Sequence, residues 1–490
     1  MIRRIGGNVG AAETESRTTK DPARQSRNQN GKKNLPRRSR RSRSLRSKGS
    51  EPFVCFVVKR DRLRSNKNNR MNRLMTILSA SGTDRKAVDK TDWSMLCAAN
   101  TGPNDDMLFN APSKQLHYAW PKEGHCRIPY WVYFNPSVYE SEQERIFRGS
   151  AWSYVGLEAE LPNPGDFKTT FVGDAPVIVV RDADRSVNVL INQCAHRGTT
   201  VCRKAYGNCS DFTCVYHGWC YDLKGNLIGV PFQNGVPDGG RRVSGLPADF
   251  TRNNHPMQKL KVASYNGVIF ASFDPNMVPF HEYLGEKMLY YFERVFDGRP
   301  LRFLGRTRQR MACNWKLVFE NIKDYHATLL HVFLVTFGLY RADQKSKVEM
   351  DETGRHAVLV SRRGEQKAFA GTKEIAVFKP DYQLHDPSIL KGRKEFKDEH
   401  TVVMQTVFPN LIIQQQTNTL ALRQILPKGP RQVELVWDFF GYQEDDPEMV
   451  EFRLKQSSLM GPAGLVTIDD AEAVEICQRG VEAGAKESAI

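Results

Sequence analysis

Short alternations of apolar and polar residues mark the first half of the chain that has a folded composition. Three of them, at 166–173, 176–181 and 187–193, are rich in Val, Ile, Thr and Phe. Turn-forming clusters that contain Gly and Asp separate these segments, which is typical of neighbouring strands in an antiparallel sheet. A further apolar run at 268–273 closes the unit. The pattern therefore predicts an antiparallel β domain.

Beyond residue 275 the pattern changes to helical spacing and longer β runs. Residues 314–331 predict a helix, and residues 446–459 predict another, because Asp446 followed by a proline favours a helix start. A last helix is predicted over 471–480. Four β runs precede the second of these helices, at 401–408, 411–416, 420–426 and 432–440. The two halves together predict an α+β protein.

The positive charge of the chain is concentrated in one tail. Residues 1–70 contain 21 Lys and Arg against 5 Asp and Glu, whereas the rest of the chain contains 50 of each. This composition predicts a basic, disordered extension. It could bind nucleic acid or anionic lipid, or target an organelle. We favour a third interpretation, in which translation starts at Met71 or Met75 and the extension is not part of the working protein.

The balanced charge of the remainder argues against a nucleic-acid partner. No apolar run approaches the ~20 residues that a membrane helix needs, so we expect no membrane partner either.

A metal-ligand pattern lies between residues 194 and 217. Cys194 and His196 form one pair, and Cys214 and His217 form the other. Such a set suits zinc or a Rieske-type [2Fe–2S] cluster, in which two His replace two Cys on one iron. Zinc fingers usually pair Cys with Cys and His with His, so the mixed pairs favour the cluster. The alternative is two unrelated buried cysteines and two surface histidines. A cluster held by thiolates predicts a reducing, cytoplasmic location.

A second set of candidate ligands follows more than a hundred residues later. His326 and His331 lie close together in a chain that has only 11 His. Two His and one carboxylate form the facial triad of non-haem Fe(II), which leaves coordination sites for O2. Asp469 and Asp470, at the head of the last helix, are candidates for the carboxylate. Alone, the two histidines could be core or capping residues. With a one-electron carrier upstream, an oxygen-activating iron is favoured.

These motifs resemble the large (alpha) subunit of the Rieske non-haem iron aromatic-ring-hydroxylating oxygenases. The similarity covers roughly residue 128 to the C terminus and rests on residues 194–198, 214–219 and 314–331. Residues 156–167 and 414–416 look most like those of members that act on salicylate or anthranilate.

The resemblance implies a Rieske domain over 128–275. It also implies a helix-grip catalytic domain, with an antiparallel sheet around a long helix, over 276–490. Substrate would lie in a pocket formed partly by residues 401–426. The implied cluster ligands are divided between two irons, with Cys194 and Cys214 on one and His196 and His217 on the other.

The resemblance also implies that His326, His331 and Asp470 hold the mononuclear iron. In the family, an Asp before the first His links the two metal centres across subunits. Asp324 matches this residue, and it would connect His326 to His217 of the partner subunit.

The implied activity is that of a terminal oxygenase component. It would use O2 and electrons from NAD(P)H, delivered by a reductase and a ferredoxin, to hydroxylate an aromatic acid. A small beta subunit and a trimer or α3β3 assembly are also implied. Three alternatives stay open: monooxygenation or demethylation of another substrate, an electron carrier without oxygenase activity, and a nucleic-acid-binding protein with a structural metal.

Two departures from the family pattern affect these expectations. Only one residue separates Asp324 from His326, where relatives usually have two. On a helix this moves Asp324 by about 100° around the axis. The chain also ends twenty residues after Asp470, where relatives continue, so a C-terminal truncation is expected.

Overall fold

The computed structural model describes residues 120–123, 127–324, 331–337, 345–364, 379, 381–484 and 486–489. All of these residues belong to one compact unit. Within these ranges no helix is both long enough and apolar enough to cross a membrane. The predicted basic extension 1–70 lies outside the described residues.

The predicted antiparallel β domain is present and consists of several small sheets. Their orders are β5-β4-β3-β6, β7-β8-β9, β12-β13-β2 and β10-β11, and every pairing is antiparallel. The strands of this half are β1 (Ile128–Pro129), β2 (Ser153–Leu157), β3 (Asp166–Val172), β4 (Ala175–Arg181), β5 (Val187–Ile191), β6 (Tyr206–Asn208), β7 (Phe212–Thr213), β8 (Cys220–Tyr221), β9 (Leu227–Gly229), β10 (Val236–Asp238), β11 (Arg241–Val243), β12 (Lys261–Tyr265) and β13 (Val268–Ser272).

The second half contains one seven-stranded antiparallel sheet in the order β14-β20-β19-β18-β17-β16-β15. Its central strands are buried on both faces, so their sequences are nearly continuous apolar runs. The strands of this half are β14 (Leu301–Met311), β15 (Lys345–Met350), β16 (Ala357–Arg362), β17 (Val402–Val407), β18 (Leu411–Gln416), β19 (Thr419–Pro427), β20 (Val433–Tyr442) and β21 (Ser488–Ala489).

Helices pack on both faces of this sheet, as the helix-grip expectation requires. One face carries α2, whose aromatic side chains join the core of β16 to β20, and the other carries α3 and α6. Asp446 caps α5 as predicted, since its side chain accepts the N–H of Met449 at 2.8 Å. The helices are α1 (Pro136–Glu142, continued by a π turn over Gln143–Phe147), α2 (Phe280–Val295, kinked at Gly285), α3 (Trp315–Asn321), α4 (Val332–Thr336), α5 (Pro447–Met460) and α6 (Thr467–Glu482).

A buried network of charges joins the two halves. Lys168 on β3 pairs with Glu160 at 2.8 Å, and both side chains are almost fully buried. Arg306 on β14 also pairs with Glu160, and its Nε donates to Asp438 on β20 at 2.6 Å. Tyr154 on β2 completes the network by donating its hydroxyl to Asp438 at 2.8 Å. Every charge in the network therefore has an opposite charge beside it.

Candidate functional site

Two similar tight turns carry the predicted cluster ligands. In each, a cysteine carbonyl accepts a hydrogen bond from the N–H of a glycine four residues later. The distance is 2.9 Å from Gly198 to Cys194 and 3.0 Å from Gly218 to Cys214. Both glycines have positive φ, +72° and +70°, which glycine adopts without steric cost. The two turns therefore share one hydrogen-bonded form, in which the histidine follows the cysteine by two residues in the first turn and by three in the second.

The two predicted cysteine ligands belong to one hydrophobic cluster, and the two predicted histidine ligands are in contact with each other. Cys194 and Cys214 are only 3% and 2% exposed, whereas His196 and His217 face solvent. The Nδ1 atoms of the two imidazoles lie 3.1 Å apart. Across the described residues, no group of three or more Cys, His, Asp or Glu side chains is placed so that it could hold a single metal ion. A Rieske cluster needs only two protein ligands on each iron, and this donor set fits it.

Two aromatic residues support the turns. The Tyr221 hydroxyl accepts the N–H of Ala195 at 3.0 Å and lies 3.2 Å from Cys194 Sγ, so its proton is available to the sulfur. Trp219 is 6% exposed and stacks on the His196 ring at 4.8 Å between centroids. Sequence reasoning missed Tyr221, because a tyrosine after a Trp-Cys pair gives no specific signal.

The segment of the second constellation is not one continuous helix. α3 is capped by Asn314, whose side chain accepts the N–H of Lys316 at 3.0 Å, and it ends at Asn321. Residues 322–323 form a turn and Asp324 lies just after it, so the predicted helix 314–331 is wrong at these three residues; residues 325–330 lie outside the described ranges. The expected rotation of Asp324 around a helix axis therefore does not apply. His326 lies outside the described residues.

A cavity of about 270 Å³ lies against one face of the seven-stranded sheet. Three of the predicted site residues line it, namely Asp324, His331 and Asp470. Strands β17 to β19 contribute residues between 401 and 423, in agreement with the predicted pocket wall. Much of the remaining wall is apolar and includes Phe333, Leu359, Met404, Leu459 and Val466.

The two adjacent aspartates of α6 have different environments. Asp470 is the more buried of the two. Burial raises the pKa of Asp470, whereas the nearby His331 lowers it. The Asn321 side chain donates to the Asp470 carboxylate at 3.4 Å. Asp469 accepts the N–H of Val332 at 3.0 Å and therefore fixes the start of α4. Among the described residues His331 Nδ1 is buried without a hydrogen-bond partner, 4.0 Å from Asp469. An unsatisfied imidazole nitrogen and a buried carboxylate fit a non-haem iron site.

The helix that carries Asp470 is anchored along its length. Glu475 accepts the N–H of Ala312 at 3.0 Å, and Gln478 accepts the N–H of Asn314 at 2.8 Å. Beyond the helix, β21 pairs antiparallel with β1. These contacts hold α6, which carries Asp470, against the start of α3.

A buried cation in the cavity wall was not predicted from the sequence. Arg423 is 5% exposed, and its Nε donates to Gln414 Oε1 at 2.7 Å, while Nη2 donates to the same oxygen. Its guanidinium carbon lies 4.1 Å from the centroid of the Trp437 ring. Burial lowers the pKa of Arg423 to about 10, and Asp470 opposes this shift, so the group is charged at neutral pH. The sequence feature that could have indicated this buried cation is a single arginine inside the apolar run 420–426.

Comparisons with known proteins give two family matches. Residues 151–240 match the Rieske [2Fe-2S] domain. Residues 299–489 match the ring hydroxylating alpha subunit (catalytic domain). The first range contains the two Cys-His turns, and the second contains the cavity.

Curated relatives cover most of both chains. The large oxygenase component of salicylate 5-hydroxylase from Ralstonia sp. is 48% identical over 370 residues, which is 74% of this chain and 86% of the relative. The large subunit of anthranilate 1,2-dioxygenase from Burkholderia cepacia is 45% identical over 378 residues, 76% of this chain and 88% of the relative. Among solved structures, naphthalene 1,2-dioxygenase from Rhodococcus sp. bound to indole matches with a TM-score of 0.58 and 25% identity, covering 73% of this chain and 83% of that one.

Proposed function

The chain belongs to the alpha-subunit family of the Rieske ring-hydroxylating oxygenases, and we propose that it is the terminal oxygenase component that hydroxylates an aromatic acid. The reaction uses O2 and electrons from NAD(P)H. The Rieske domain spans 128–275 and the catalytic domain spans 276–490. The observation that carries the choice of substrate class is the buried Arg423 in the cavity wall.

A buried cation needs a physical reason, because removing a charge from water is costly unless it is paired. Among the residues that the structure describes, the Arg423 guanidinium donates to the neutral amide of Gln414, and its electrostatic attraction is to Asp470. A guanidinium matches the planar shape of a carboxylate and can bind it through two hydrogen bonds. A carboxylate on an aromatic ring would therefore find a cation here and apolar contacts elsewhere in the cavity.

The same proposal assigns the metal ligands. When bound, a Rieske cluster would supply single electrons and a mononuclear iron would supply open coordination positions for O2. Buried thiols keep water from the sulfur side of the cluster site, while the exposed imidazoles leave it open to a partner. The assigned ligands are Cys194, Cys214, His196 and His217 for the cluster, and His326, His331 and Asp470 for the mononuclear iron.

Asp324 is assigned a positioning role between the two metal centres. It lines the cavity that contains His331 and Asp470, and it lies directly after the turn that ends α3. In this role it would connect His326 to His217 of the partner subunit, on the path between the two metal centres.

Further components complete the reaction. The relatives are described as large or terminal oxygenase components, which implies separate electron-delivery proteins. We assign a ferredoxin and an NAD(P)H-dependent reductase to this role, with a small beta subunit and a trimeric or α3β3 assembly. The cytoplasm is the proposed location, because a cluster held by thiolates needs reduced cysteines.

Product analysis tests the function. The purified oxygenase, reductase and ferredoxin are offered salicylate, anthranilate and benzoate under ¹⁸O2. We expect ¹⁸O in a ring-hydroxylated product of at least one acid, and electron paramagnetic resonance of the reduced protein should show a Rieske signal. A system with an intact Rieske signal that labels none of the acids would exclude the substrate class. Absence of that signal would exclude the cluster assignment.

A further inference from the structure

Three polar side chains form a hydrogen-bonded relay along the cavity wall. Arg423 on β19 donates to Gln414 on β18, and Gln414 Nε2 donates to Gln416 Oε1 at 3.0 Å. Gln414 and Gln416 are two residues apart on one strand and therefore face the same side of the sheet. All three residues line the cavity.

Arg423 fixes the orientation of both amides. A guanidinium can only donate, so the Gln414 atom that it contacts is the amide oxygen. The nitrogen of Gln414 is then the donor to the next amide, so the contacted atom of Gln416 is also oxygen. Gln416 is left with its amide N–H2 group, which makes no hydrogen bond to any part of the chain that the structure describes.

The neighbouring Gln415 does not share this role. Its amide donates to the carbonyl of Thr417 at 2.7 Å and accepts a hydrogen bond from Arg294 at 3.1 Å. Gln415 therefore belongs to the opposite face of β18, among contacts that stabilise the fold. Of the three consecutive glutamines, only Gln414 and Gln416 line the cavity.

We propose that the Gln416 amide N–H group is a specificity-determining donor, which selects substrates whose ring carries an oxygen substituent that accepts a hydrogen bond. This inference rests on the proposed function, in which Arg423 binds the substrate carboxylate. The relay then offers donors at both ends, a guanidinium for the carboxylate and an amide for a second ring substituent. A hydroxyl oxygen satisfies the amide donor, whereas an aromatic amino group is mainly a donor itself and does not. Hydroxybenzoates are therefore preferred to aminobenzoates.

The test compares kcat/KM for each hydroxybenzoate isomer with that for the aminobenzoate of the same ring position. The complete system of oxygenase, ferredoxin and reductase is used, with wild type, Gln416→Glu and Gln416→Met. In the Glu variant one carboxylate oxygen still accepts from Gln414, and the other presents an acceptor to the cavity. We expect the hydroxy-to-amino ratio for the preferred isomer to fall at least ~10-fold, because a donor opposite an oxygen is replaced by an acceptor.

Gln432→Glu is the matched control. It makes the same chemical change at an exposed residue of the turn between β19 and β20, so the ratio should stay at the wild-type value. A ratio in Gln416→Glu within about threefold of wild type would overturn the inference while the proposed function stands. If circular dichroism shows that Gln416→Glu does not fold, the hydroxy-to-amino ratio of kcat/KM in Gln416→Met is used instead. A fall in that ratio supports the inference, and a ratio within about threefold of wild type overturns it. A wild-type enzyme that converts no aromatic acid overturns both proposals.

Discussion

At the scale of single residues, the proposed recognition of a substrate carboxylate depends on Arg423. Replacing Arg423 by Met keeps much of its length and removes its charge and its donors. A hydrogen bond to a charged group contributes about 1.5–3 kcal/mol, so kcat/KM for an aromatic acid should fall roughly 10- to 100-fold. The corresponding methyl ester lacks the charge, so the preference for acid over ester should narrow by the same factor. Steady-state product formation with each acid and its ester measures both quantities.

Two further variants separate recognition from a general effect of losing an arginine. Arg423→Lys keeps the charge but not the planar pair of donors, so its kcat/KM should lie between wild type and Arg423→Met. Arg302→Met removes an exposed arginine from the edge strand β14 and should leave the preference for acid over ester unchanged. An Arg423→Met enzyme that still prefers acids over esters as strongly as wild type would contradict the role of this residue.

At the scale of elements, local pattern predicted the central strands and the capped helix. β17 to β20 agree with the predicted runs within about two residues, because apolar runs between turn residues are a local signal. β14 was missed, since arginines at 302, 306, 308 and 310 hide its alternation. The last three of these charges are paired with Asp438 or Glu434 on the neighbouring strand. The end of α3 at Asn321 was also missed, because no glycine or proline marks it.

His356 connects three elements and predicts a pH dependence of stability. Its Nε2 donates to the carbonyl of Tyr283 in α2 at 3.0 Å, and Nδ1 accepts the N–H of Phe408 beyond β17 at 3.1 Å. Only the neutral ring makes both bonds. Burial lowers the pKa of His356 from 6.5, although Asp351 acts in the opposite direction. Below pH 6.5, His356 therefore binds a proton less readily in the folded state than in the unfolded state. The stabilising contribution of the neutral His356 ring is present above pH 6.5 and is lost as the pH falls through the lowered pKa.

Thermal unfolding at pH 7.5 and at pH 5.5 tests this connection. His356→Gln should lower Tm at the higher pH, because buried hydrogen bonds worth about 1 kcal/mol each are lost. The further decrease in Tm on going to the lower pH should be smaller than in wild type, because the titrating ring is absent. His281→Gln, at an exposed position on α2, is the control and should behave as wild type. An unchanged pH dependence in His356→Gln would show that other groups cause it.

At the scale of the whole molecule, sequence reasoning could propose candidate ligands that lie within one turn, but it could not bring together residues that only tertiary packing makes neighbours. The Cys-His pairs can be recognised in the sequence because each pair lies within one turn, so the spacing along the chain already implies that its two residues are close. Asp470 and Arg423 reach the same cavity from α6 and β19, and that proximity depends on how the helix packs on the sheet. The charge network between the halves likewise joins residues 154–168 to residues 306 and 438, which no local pattern relates.

Glu160 is the centre of that network, and its removal should weaken both halves of the protein together. Glu160→Gln leaves Lys168 and Arg306 without one of their shared partners, and a broken buried pair typically costs ~3–5 kcal/mol. We expect Tm to fall on the order of 10 °C, with the visible absorbance of the cluster and the far-ultraviolet circular dichroism lost together. Glu158→Gln is the matched control, because Glu158 is 38% exposed and its pair with Arg181 should contribute below about 1 kcal/mol. Equal effects of the two variants would show that the network does not join the halves energetically.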